Sequence, residues 1–177
     1  MGRLMKFLHT MGAIGLMGAM ASLLVLLAVA PAPDAAPNGL SEYALMRQTM
    51  DGIARYIFLP SLAMTLIAGL LSLAVNHSYQ NAGWALTKLA TGIILFEWGF
   101  VGVQGPMQNE AALAAKAVAG EANPADLAIS LSAEWWSLWI LLAVATANVV
   151  LGVWRPRFTW LRFVPKGVAR PTMSGRS

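Results

Sequence analysis

Apolar residues crowd into four stretches, near residues 7–30, 53–75, 84–104 and 135–154, that together fill about half of the chain. Each is close to the roughly 20 residues that a helix needs to cross a bilayer. The pattern predicts an all-α polytopic membrane protein, a four-transmembrane-helix bundle. The domain layout that follows is one membrane domain over 1–155 and a basic tail over 156–177. Polar and turn-forming residues separate the spans. Pro31, Pro33, Pro37 and Gly39 open the first long connection, and Ser41-Glu42 then starts an amphipathic lead-in helix to the second span. Pro60 is expected to kink that helix or to mark where the lead-in ends. The second long connection, 108–120, is alanine-rich and helix-prone, and Asn123-Pro124 is expected to start a helix that runs on into the fourth span.

Within the first span Gly12, Gly15, Ala19 and Ser22 share one face at about 100° per residue. The second span carries a matching stripe of Ser61, Thr65, Gly69, Ser72 and Asn76. Small residues let helix backbones approach closely, so these two faces are expected to pack together. Trp135, Trp136 and Trp139 at one end of the fourth span and Trp154 at the other have the placing of interfacial anchors.

Charge sets an orientation. With the N-terminus inside, nine of the twelve Lys and Arg residues fall on the inner side: Arg3, Lys6, Lys88, Arg155 and the five of the tail. Only Arg47, Arg55 and Lys116 are left outside, and that bias puts both termini in the cytoplasm. Arg3 and Lys6 before an apolar run ending in Ala28-Val29-Ala30 also resemble a secretory signal, but the run exceeds the usual 7–15 or so residues and Pro31 follows directly. The first stretch is therefore expected to stay as a span. Composition agrees, with 58% hydrophobic and 11% charged residues, against about a quarter charged in soluble domains. The net charge of +4 does not imply a nucleic-acid partner, because the basic residues flank the spans. The tail, with Phe158, Trp160 and Phe163 among its cations, is suited to anionic lipid headgroups. There is no cysteine, which excludes disulfides and thiolate chemistry.

One acid lies within the spans. An ionised carboxylate there is costly, so Glu97 is the foremost candidate for a functional role. Helical counting puts Ser22, Ser61 and Thr65 at a similar depth, and Gln104 and Ala90 on the face of Glu97. Lys88 lies on the opposite face. An intramembrane polar site of Glu97, Ser22, Ser61, Thr65 and Asn148 is expected, serving either to lock the bundle or to carry a proton, ion or substrate. His9 and His77 open the first span and close the second, so they could face one another and hold haem b or copper. Further histidines for a structural zinc site are missing, and no metal site is expected. Met46 and Met50, one turn apart, are apolar fillers that a thioether copper site could also use.

The His9-x-x-Gly12 motif, Pro60 followed by Thr65-Leu66 and Gly69-Leu70, and Trp84-x-x-x-Lys88-Leu89 together resemble a family of small bacterial membrane proteins known mostly as predicted integral membrane proteins of unknown function. The resemblance covers roughly 5–105, and that family is distantly similar to copper-resistance-D type membrane proteins. It implies a four-helix bundle in a bacterial inner membrane and carries over no catalytic residue. Phosphate-binding glycine loops, nucleophile elbows, zinc-protease helices and dinucleotide fingerprints are absent from the sequence. The expected function is that of a non-enzymatic accessory or interaction protein. A Glu97-centred proton- or ion-coupled transporter and a haem- or copper-handling protein are the alternatives. The expected partners are the lipid bilayer and either another membrane protein or further copies of the chain.

Overall fold

A computed structural model describes residues 2–34, 38–75, 83–129 and 131–154. Among these the chain is helical, with no strand. Its elements are α1 (Gly2–Val29), α2 (Gly39–Ile53), α3 (Leu59–Val75), α4 (Gly83–Gly99), α5 (Gly105–Val118) and α6 (Leu131–Trp154). A π-helical turn over Ala54–Phe58 joins α2 to α3, and another over Phe100–Gln104 joins α4 to α5. Four helices are long and apolar enough to cross a membrane: Arg3–Val29, Gly39–Val75, Ala85–Val118 and the helix within Pro124–Trp154.

Two of the four are longer than the hydrophobic stretches suggest. The 37 residues of Gly39–Val75 amount to about 55 Å of helix at 1.5 Å per residue, well beyond a hydrocarbon core of about 30 Å. The lead-in helix expected from Ser41 is thus continuous with the second span, and the alanine-rich 108–120 stretch continues the third. Proline explains the two joints. Each π turn ends two residues before a proline, Pro60 or Pro106, whose ring would collide with the carbonyl four residues back and which has no N–H to donate. The preceding residue reaches one step further instead: Leu59 N–H donates to Ala54 O and Gly105 N–H to Phe100 O. The two π turns also pack against each other.

Helices α1, α3, α4 and α6 form the bundle, with α1 against α3 and α6, and α4 against α3 and α6. One end carries the start of α1 and the finish of α6, and is called the terminal end below. At the distal end α2 lies along α5. The main core contains Leu16, Met20, Leu23, Phe58, Val103 and Leu138, and a smaller distal core gathers Tyr43, Ala44, Ala114, Ala117 and Leu127.

The stretch before α6 departs from expectation. Asn123-Pro124 starts only a single 3-10 turn, Pro124–Asp126, capped by Asn123 Oδ1 accepting from Ala125 N. The chain then turns through Ala128 at φ 64°, and α6 begins at Leu131. The Ala128 N–H is taken by the Glu110 carboxylate at 2.6 Å, which removes it from any continuing helix. Helix α5 stops at a Schellman motif: Gly120, at φ 76°, donates to Ala117 O, and Glu121 donates to Lys116 O. The tail over 156–177 lies outside the described residues.

Candidate functional site

Glu97 is on the outside of the bundle. Its side chain is exposed, in a shallow depression made with Ile93, Ile94, Trp98, Val101 and Gly102. The apolar side chains along this side of α4 and the π turn after it, Ile93, Ile94, Phe96, Trp98, Phe100 and Val101, are all exposed too. Thr91 Oγ1 donates to Asn148 Oδ1 at 2.7 Å and Gly102 faces Ser137. These two contacts bracket Glu97 along α6, level with the middle of that helix. A carboxylate therefore stands at mid-height in an exposed apolar belt. Among the described residues no polar group pairs with it.

The residues expected beside Glu97 go to three different places. Ser61 and Thr65 sit on α3 facing the α1 glycines. A Cβ at Gly12 would meet Thr65 Oγ1 and come within 2.9 Å of Ser61 O, and one at Gly15 would meet Ser61 Oγ. The two small-residue stripes do meet at these positions, and Thr65 returns its hydroxyl proton to Ser61 O at 2.8 Å. Ser22 is exposed and bonds back to Gly18 O at 2.9 Å. Asn148 accepts from Thr91. Gln104 is the clearest correction, since a period of 3.6 places it on the face of Glu97, yet it is buried and donates to Gln108 Oε1 at 3.0 Å. The π turn inserts extra backbone between the two and swings Gln104 inward.

A cavity of about 490 Å³ opens at the terminal end of the bundle and is lined from α1, α3, α4 and α6. Leu62, Leu66, Leu95 and Met17 line its deep part; Lys6, His9, Ser72 and Lys88 line the part nearer the termini, and Asn148 contributes from α6. His9 Nδ1 is 2.8 Å from Thr65 O. A carbonyl can only accept, so Nδ1 carries the proton and Nε2 of the neutral ring is left as an acceptor. The ring lies against Gly69, whose missing Cβ would be 3.5 Å from it. Lys88 reaches over Gly152, where a Cβ would stand 2.8 Å from its Nζ. None of the residues lining this cavity is acidic. His77 falls outside the described residues, so its relation to His9 is not part of the geometry.

Sequence reasoning missed a third polar group at the distal end. Arg47, buried on α2, donates from both Nη atoms to the Glu134 carboxylate of α6, at 2.8 Å each. Arg47 Nη2 lies 4.0 Å from Glu110 Oε1 on α5. That oxygen also accepts from Tyr43 Oη at 2.6 Å, and the Arg47 guanidinium lies 5.6 Å from the centre of the Tyr43 ring. Met50 Sδ is 3.6 Å from Arg47 Nη1, so this methionine is core filler beside a cation. The cluster ties α2, α5 and α6 together through side chains distant in sequence.

Of the tryptophans, Trp136, Trp139 and Trp154 are exposed, and Trp135 packs edge-on to Trp139 with ring centres 6.1 Å apart. No group of three or more potential metal-binding His, Asp or Glu side chains occurs among the described residues. Comparison of the chain with models of known families, with curated proteins and with solved structures gives no match.

Proposed function

We propose that the protein is a non-enzymatic accessory protein of a bacterial inner membrane, with both termini in the cytoplasm, that docks another membrane-spanning protein through the Glu97 face of α4. The observation that carries this reading is the exposed carboxylate at mid-height in an apolar belt. A charged side chain at the centre of a membrane helix costs about 2.5–3.5 kcal/mol on insertion scales. A partner that supplies a cation or hydrogen-bond donor at that depth offsets the cost. The charge bias of the flanks supports the orientation.

A second copy of the chain fits less well. Among the described residues Arg47 is buried distally, Arg55 lies on the distal α2–α3 joint, and Lys88 lines the terminal-end cavity. Across a two-fold contact of this face a second copy would set its own Glu97 against Glu97, whereas a foreign helix bearing Lys, Arg or His brings the complementary charge.

Photo-crosslinking from the face tests this. A photoreactive residue at Val101, in cells expressing the chain at native level, is expected to capture one membrane protein that has a basic residue within a span. The same residue at Val150 on α6 is expected to capture lipid only. Loss of the Val101 product in Glu97→Leu supports the docking role; a product that is a second copy of the chain, or one unchanged by Glu97→Leu, overturns it.

A further inference from the structure

We propose that the terminal-end cavity is a binding site for an acidic amphiphile: a lipid with a phosphate monoester headgroup near His9 and Lys88 and an acyl tail running inward between the four helices. Its size of about 490 Å³ is within the range of roughly 300–1,000 Å³ found for small-molecule sites. Its chemistry changes along its length. Leu62, Leu66, Leu95 and Met17 make the deep part apolar, while His9, Lys88 and Lys6 gather toward the terminal end.

The headgroup chemistry follows from the donors and acceptors. An ammonium has three donors and no acceptor, and the His9 tautomer fixed by Thr65 O presents an acceptor at Nε2. A headgroup that is acidic and can also carry a proton satisfies both, accepting from Lys88 and donating to His9. Choline-type headgroups bring a fixed positive charge and have no proton to offer. Gly69 and Gly152 are where larger side chains would press on His9 and Lys88, so the glycines keep both polar groups where they are.

The test is native mass spectrometry of the full chain, released from phosphatidylcholine micelles containing phosphatidic acid. One phosphatidic acid is expected to stay bound, with phosphatidylcholine lost. Lys88→Gln is expected to weaken retention about tenfold, the loss of one charge-assisted contact, and Leu66→Trp to abolish it by filling the tail channel. Circular dichroism and gel filtration identify any variant that has failed to fold, and Lys88→Gln, which stays polar but loses the charge, serves if Leu66→Trp does. Inorganic phosphate separates the two sources of the anion. Its failure to displace the lipid supports an amphiphile site, whereas displacement at comparable concentration means a free-anion site and overturns the proposal. Equal retention of phosphatidylcholine, or full retention by a folded Lys88→Gln, overturns it as well.

Discussion

At Gly12 the closest helix pair of the bundle meets with no room for a methyl group. A Cβ there would press on Ser61 O and Thr65 N at 2.9 Å, and backbone cannot rotate away as a side chain can. Gly12→Ala is therefore expected to destabilise by about 1–3 kcal/mol, the usual cost of overpacking. Gly18→Ala, where a Cβ meets nothing within 4 Å, is expected to cause no loss. Thermal unfolding of both variants in mild detergent checks the difference, and equal midpoints would contradict the packing described for α1 and α3. The importance of these glycines was legible because residue size and a helical period suffice to read it. The facing of Glu97 was not. The sequence marks an acid among apolar residues, but whether it points into the bundle or away depends on which side of α4 the other helices cover.

Elements show the same division. The lead-in to α3 and the helical character of 108–120 were readable from composition and turn residues, whereas the π turns were not, since they arise from how the chain accommodates Pro60 and Pro106 within continuing helices. One misplaced turn is enough to move Gln104 from the face of Glu97 into the core. The distal lobe depends on side chains brought together from afar: Arg47 and Glu134 are 87 residues apart in sequence, and Tyr43 and Glu110 67 apart. No local period links them, so flank counting saw only charges outside the spans. Breaking a buried ion pair from one side leaves the other charge uncompensated, which costs about 3–5 kcal/mol. Arg47→Met and Glu134→Leu are each expected to destabilise on that scale, and the double variant by less than either. Denaturant unfolding of the three variants measures this. Additive losses in the double variant would show that the pair does not act as a unit.

For the whole molecule, the described geometry separates two tasks by location. The α1–α3 seam and the distal ion cluster hold the helices in place, while the outward face of α4 and the terminal-end cavity are the two surfaces proposed to receive other molecules. Those two surfaces lie on different sides of the bundle, so a change at one should leave the other working. The most direct measurement is native gel electrophoresis of gently solubilised membranes containing the chain at its natural level, comparing wild type, Glu97→Leu and Leu66→Trp. Wild type and folded Leu66→Trp are expected in a complex larger than the single chain, and Glu97→Leu as the single chain alone. A wild-type protein that migrates as a single chain, or a complex that survives Glu97→Leu, would contradict a docking role for this face.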